Sequence, residues 1–307
     1  MTQTVLILGA TGRFGRNAAE AFWNAGWRVR LFDRKTDDLL TASKGVDVIV
    51  NGWNPPYTDW ATQLPDLTQQ VIAATKASGA TVILPGNVYV YGKDAPARFG
   101  ADTPHTARDH LGKLRVDMEA SYRASGLRCI IMRAGDYIDT EASGNWFDQM
   151  IAPPLKRGVL RYPGDLDTPH AWAFLPDLAE ATVAVAEQRD KLPVFADIAF
   201  PGYTLTGHEM AALCAQALER PVRAARMSWL PLQLTRPFWG MAKHLMSMRY
   251  LWSKPHHLDG TEFAALVPGF VPTDPVRAMR LATYPVLGAK QRQPKPDDAA
   301  RRPAQAA

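Results

Sequence analysis

The sequence predicts an α/β fold: a doubly wound parallel sheet with a smaller C-terminal substrate lobe. Three observations carry this. The chain opens on a short apolar run, residues 5–8, that ends in Gly9, Gly12 and Gly15 and passes straight into a helical pattern. Short apolar runs and amphipathic stretches then alternate up to residue 200. The length of 307 residues, 47% hydrophobic and 21% charged, suits a globular chain with a large buried core.

The elements follow in order. A first helix over 16–25 places Ala18, Phe22 and Ala25 on one face, and Gly26 stops it. Strands are expected at 27–32 and 46–50. A helix over 60–78 aligns Leu64, Leu67, Val71 and Ala74, and a strand at 81–84 follows. The helix over 110–125 turns Leu111, Leu114, Met118 and Tyr122 inward, and leads through Gly126 into a strand at 127–132. A helix over 176–188 and a strand at 194–200 complete the alternation. Strands separated by helices give a parallel sheet covered on both faces, with ligands at the carboxyl ends of the strands.

The second half is less regular. Thr206-Gly207-His208-Glu209 is a capping box that opens a helix to 219. Residues 228–252 are rich in Trp, Met, Leu and Pro. Pro231 and Pro237 interrupt the stretch and it lacks a clean basic face, so a substrate-pocket lid or a dimer surface is expected rather than a membrane-surface helix. From 289 onward there is no apolar periodicity, and a disordered tail is expected. The division is therefore a nucleotide core at 1–137, a substrate lobe at 138–288 interleaved with the last core elements, and a tail at 289–307.

Composition removes several function classes. The net charge of +5 sits partly in the tail, and no basic stripe marks the body, so nucleic-acid binding is not expected. No apolar run is long enough to span a bilayer. Cys129 and Cys214 both lie in apolar patterns, as buried free thiols of a reducing compartment do, and a cytoplasmic location is expected. His256-His257 with Asp259 has no accompanying ligand set, and no metal is expected.

The glycine spacing carries the chemistry. Gly9 permits a tight turn, Gly12 clears the approach to a pyrophosphate, and Gly15 lets helix and strand pack closely. The helix N-terminus then offers free N–H groups and a partial positive charge. Thr11, Arg13 and Phe14 complete the loop. Asp33, at the end of the second strand, is placed to bond ribose hydroxyls, which favours NAD. Arg34 beside it, with Arg13 and Arg16, favours the 2′-phosphate of NADP. The charge count tips the expectation to NADP. The segment 51–57 borders the cofactor in such a sheet: Asn51 belongs to the cofactor side, and Trp53 and Tyr57 cover nicotinamide or substrate, or simply pack.

Residues 3 to about 285 resemble the short-chain dehydrogenase/reductase superfamily, in its extended and atypical branch of NAD-dependent epimerase/dehydratase-like, Rossmann-type proteins. The likeness rests on residues 9–15, on Val88-Tyr89-Val90-Tyr91-Gly92, on Lys113 with Glu119, on Arg133-Ala134-Gly135-Asp136, and on the segment from His170 to Ala179. The resemblance implies a Tyr and a Lys in a Y-x-x-x-K pattern, the Lys lowering the Tyr pKa. Lys113 takes the Lys position and Asp109 stands where the Tyr belongs. An ionised Asp accepts but does not donate. The proton then falls to Tyr89 or Tyr91, with Asn87 at the Ser/Thr position. Lys113 is alternatively an i, i+4 surface partner of Asp117. The implied substrate side holds Asp136, Asn145, Trp146 and His170.

The expected function is an NAD(P)-dependent oxidoreductase acting on a small organic carbonyl or hydroxyl compound without the usual Tyr. A non-catalytic NAD(P)-binding redox sensor or assembly partner is the alternative, and a nucleotide-sugar epimerase or dehydratase comes third. The expected partners are a small-molecule substrate and a second copy of the chain.

Overall fold

The computed structural model describes residues 2–288; the expected tail lies outside the described residues. The first half runs β1 (Thr4–Leu8), α1 (Arg13–Asn24), β2 (Arg28–Phe32), a single-turn α2 (Leu39–Ala42), β3 (Val48–Asn51), α3 (Trp60–Ser78) and β4 (Thr81–Gly86). A two-residue β5 (Arg98–Phe99), α4 (His110–Ala124), β6 (Cys129–Arg133) and β7 (Asp136–Ile138) follow. The second half runs β8 (Val159–Tyr162), β9 (His170–Phe174), α5 (Leu175–Glu187), β10 (Phe195–Ala199), β11 (Tyr203–Leu205), α6 (Gly207–Leu218) and β12 (Arg223–Arg226). It ends with α7 (Leu230–Thr235), α8 (Gly240–Ser247), β13 (His257–Leu258), α9 (Thr261–Leu266) and α10 (Pro275–Leu287).

Six parallel strands form the main sheet in the order β10-β6-β4-β3-β1-β2. The chain leaves β1 for β2 on one side and crosses back to β3 on the other. The β1–β3 gap is therefore the switch point where such sheets open a crevice. Side chains alternate across the sheet as the pleat requires. Leu6, Ile49, Val82 and Ile131 pack toward α3 and α4, while Val5, Ile7, Val48 and Ile130 pack toward α1 and α5. Burial on both faces explains why these strands read as continuous apolar runs.

A smaller lobe builds on β9, which pairs in parallel with β7 and antiparallel with β11. The β8–β12 pair and helices α6 and α10 close a third core around Phe147, Tyr162, Trp172, Met210 and Trp252. The lobe is fastened to α5 by Asp177, whose carboxylate accepts from the Thr273 amide at 2.9 Å and hydroxyl at 2.6 Å.

The structure corrects two boundaries. The first helix begins at Arg13, not 16, because Gly12 is itself the N-cap and the glycine loop forms the first turn. The stretch 228–252 is not one interrupted element. Pro231 occupies the first turn of α7, where a missing N–H costs nothing, and Pro237 sits in the link to α8.

Candidate active site

The switch point opens into a cleft of about 850 Å³ between the main sheet and the lobe. Its floor on the β1 side is backbone. Gly9 turns with φ +75°, and a Cβ on Gly15 would stand 2.1 Å from the Gly9 carbonyl oxygen, so only glycine lets α1 reach this close to β1. Gly12 lines the cleft and caps α1 with no side chain, and no acidic residue occupies the first turn. The N–H groups of that turn, with the positive end of the helix, face the cleft uncompensated. Asn51 is pinned here by Tyr122, whose hydroxyl accepts from its amide at 3.1 Å.

The opposite end is built from side chains of distant segments. The Tyr57 and Tyr89 hydroxyls meet at 2.8 Å. Burial raises both phenols above the ordinary tyrosine value, Tyr89 well above it. Both are therefore neutral donors at physiological pH. Beside them the Arg115 guanidinium lies 4.2 Å from the centre of the Trp60 ring and donates to the Asn54 side-chain oxygen at 2.6 Å. Its Nε is buried without a partner, and the residue lines the cleft. Asn87 lines the same end and caps the following turn by accepting from the Tyr89 amide at 3.1 Å.

That turn is held from below by a fully buried cation. Arg133 donates to both Glu119 oxygens at 2.8 Å, to Asp197, and to the Asn87 carbonyl at 2.7 Å. His105, Glu119 and Asp197 bring ligand atoms within 4.8 Å of one another. The Arg133 guanidinium already supplies the positive charge between the two carboxylates, and burial lowers the His105 pKa.

No protein-family model and no curated sequence matches the chain. Solved structures do. The human epimerase family protein SDR39U1 (isoform 2) with NADPH superposes with a TM-score of 0.70 at 20% identity, over 92% of this chain and 99% of that one. MoeE5 in complex with UDP-glucose and NAD gives 0.69 at 15% identity, over 92% and 97%. RMD from Pseudomonas aeruginosa with NADPH gives 0.68 at 14%, over 93% and 100%. The chain has the fold of the NAD(P)-dependent epimerase/dehydratase-like proteins.

The two basic residues of the middle of α4 take different faces. Lys113 points to solvent, 67% exposed and paired with Asp117 at 3.5 Å, so it is the surface partner rather than the cleft cation. The cleft-facing cation of α4 is Arg115, and one turn earlier stands buried Leu111, not Asp109. Asp109 caps α4 by accepting from the Gly112 amide. Sequence reasoning missed Arg115 although the signal was present. It falls on the same face as Leu111, Met118 and Tyr122, and a charge on a buried face needs a reason.

Other candidates separate in the same way. Thr11, Arg13, Phe14, Trp53, Tyr57, Asp136, Asn145 and Trp146 all line the cleft. Tyr91 does not. It stacks on Phe99 with ring centres 4.2 Å apart, behind the wall. His170 is buried behind Asp136, whose carboxylate meets its Nε2 at 2.7 Å, and its ring stacks on Trp252 at 4.4 Å. It positions Asp136 and does not face the cleft. The Asn145 side-chain oxygen accepts from the Asp148 amide, so much of its bonding capacity is spent on its own turn. Arg16 is held by Asp139 at 2.9 Å and Glu141 at 3.2 Å, which takes it from the expected phosphate role. Arg13 donates to the carbonyls of Ser143 and Gly144 and ties the glycine loop to the lobe. Asp33 is exposed at the end of β2 and accepts from the Lys35 amide, while the Arg34 guanidinium lies 5.1 Å from the Trp53 ring.

Proposed function

We propose that the chain is an NAD(P)H-dependent reductase of a small, largely apolar carbonyl compound. The observation that carries this is one cleft with a glycine-built dinucleotide cradle at one end and the Tyr57–Tyr89 hydroxyl pair at the other. The residues present fit a dinucleotide. Gly12 leaves room that a side chain would fill, α1 presents uncapped N–H groups, and the Arg115 guanidinium lines the same cleft. Arg34, held over Trp53 at the β2 end, favours the 2′-phosphate of NADP.

A bound reduced nicotinamide supplies the hydride. The chain supplies the proton. As the carbonyl carbon gains the hydride, the π electrons pass to its oxygen, and that oxygen takes the proton of the Tyr89 hydroxyl. The Tyr57 hydroxyl at 2.8 Å would hydrogen-bond the resulting phenolate, and a proton from solvent would restore the pair. Raised phenol pKa values keep both hydroxyls protonated at neutral pH and oppose the reverse role of base. Arg115 and Asn87 orient cofactor ribose and substrate oxygen. Asp136, fixed by His170, closes the far wall.

A nucleotide-sugar substrate is less favoured. The lobe side of the cleft offers Trp146, Met150, Leu232, Trp239 and Met241, and the two cations that reach it, Arg13 and Arg16, are engaged by the Ser143 and Gly144 carbonyls and by Asp139 and Glu141. A second diphosphate would have to compete for cations already engaged there. A binding protein without turnover is supported by Leu111 alone.

The test is a titration with NADPH and NADH read by tryptophan fluorescence, since Trp53, Trp60, Trp146 and Trp239 line the cleft. Quenching by NADPH, followed by carbonyl-dependent NADPH oxidation that Tyr89→Phe removes, supports the reading. Binding without turnover on any carbonyl favours the sensor, and no binding overturns both.

A further inference from the structure

The hairpin of α7 and α8 has two apolar faces. The inner one, with Leu232, Trp239, Met241 and Leu245, lines the cleft. The outer one exposes Leu230, Leu234 and Phe238, the last 92% exposed. Leu230, Leu234 and Phe238 follow one another at intervals of four, so the first two share a face of α7 and the third continues it past Pro237. Large apolar groups left singly on a surface need no reason, but a row of them beside a cleft mouth does.

Against the expectation of a lid or dimer surface without a basic face, the charge around this row is one-sided. Between Glu219 and Asp259 the chain has no acidic residue, while Arg220, Arg223, Arg226, Arg236, Lys243, Arg249 and Lys254 are basic. Asp165 pairs with Arg226, the Leu155 carbonyl takes Arg220, and Arg249 lies over the Trp229 ring. Arg236 and Lys243, which flank Phe238, are exposed and have no carboxylate partner among the described residues. Protruding Leu and Phe set between unpaired cations match a surface that is anionic outside and hydrocarbon inside. A nucleic acid would satisfy the cations but not the leucines. No helix of the described residues is long and apolar enough to cross a membrane, so the contact is with one leaflet.

We propose that the α7–α8 hairpin docks on an anionic phospholipid surface, seating Leu230, Leu234 and Phe238 among the acyl chains and Arg236 and Lys243 among the headgroups. Because the inner face of the same hairpin lines the cleft, docking places the cleft mouth against the bilayer. A substrate dissolved in the membrane then enters without crossing water. Docking itself needs no cofactor and stands independently of the proposed reduction.

The test is co-sedimentation of the full chain with vesicles of phosphatidylcholine alone and of phosphatidylcholine with phosphatidylglycerol. Binding to the anionic vesicles, weakened by salt, is expected. Arg236→Gln with Lys243→Gln should weaken it about fivefold per charge removed. Leu234→Ser with Phe238→Ser should abolish it, with an unchanged circular dichroism spectrum and unchanged NADPH quenching. Neither residue lines the cleft, and both are exposed, so the fold does not depend on them. Absence of binding to anionic vesicles at low salt overturns the proposal. So does binding that both double variants leave intact, which would assign it to another part of the chain. A dimer that dissociates in the serine variant, with no vesicle binding, would give the surface to a second copy instead.

Discussion

The two ends of the cleft are made of different material. The glycine end is backbone: a turn, a close helix–strand approach and a row of N–H groups, all within residues 9–15. The tyrosine end is side chain. Tyr57, Tyr89, Arg115 and Asp136 come from four separate segments and meet only when α3, β4, α4 and β7 are in place. A backbone site tolerates no added atom but is indifferent to pH. A side-chain site tolerates small changes in shape but depends on each hydroxyl and charge.

The sharpest way to break this contrast is Gly15→Ala. A Cβ there would sit 2.1 Å from the Gly9 oxygen, so α1 must move off β1. Stability should fall by about 3 kcal/mol or more and dinucleotide binding should be lost with it. A variant that melts and binds like the parent would mean that close approach does not build this end. Tyr89→Phe comes next. It removes one oxygen from a well-packed wall, so cofactor affinity should hold while kcat drops about 10²- to 10³-fold. Equal loss in kcat and in cofactor affinity would show the hydroxyl to be structural.

A third prediction concerns pH. His256 is fully buried against the His170 ring, and burial pushes its pKa from 6.5 down to about 3. The unfolded chain therefore binds a proton at this group below pH 6.5 that the folded chain refuses. Stability from His256 is complete above pH 6.5 and falls as the pH drops toward 3, by up to about 1.4 kcal/mol per pH unit. His256→Asn should flatten that part of a denaturation-against-pH curve, and an unchanged slope would place the acid sensitivity elsewhere. Arg34→Ala sharpens the cofactor side. NADPH affinity should drop about tenfold, roughly 1.4 kcal/mol, and NADH affinity should stay. Parallel loss of both would deny Arg34 a role at the 2′-phosphate. Lys113→Ala is the smallest: a change within about 0.5 kcal/mol and no change in rate, because its ion pair is exposed. A large rate loss would return Lys113 to the cleft and undo the placing of Arg115 as its cation.

The same contrast explains which residues could be seen in advance. Gly9, Gly12 and Gly15 were legible because their constraint is local and falls within one turn. Trp53, Tyr57, Asn87 and Tyr89 were expected near a ligand because they follow strand ends, and all four line the cleft. Lys113 misled because spacing along α4 was read without its face, and Leu111 and Arg115 share the face that matters. Tyr91 and His170 misled because being near a strand end does not say which side of the wall a ring takes.

What the sequence determined by itself was the winding of strands and helices and the backbone cradle, since apolar periodicity and glycine spacing act over a few residues. What only the tertiary structure decided was the partner of each polar group: Arg133 with Glu119 and Asp197, His170 behind Asp136, Tyr57 against Tyr89. The physical reason is that a buried hydrogen bond or ion pair depends on distances of about 3 Å between atoms far apart in the chain. No local pattern encodes those distances until the sheet and the lobe have packed.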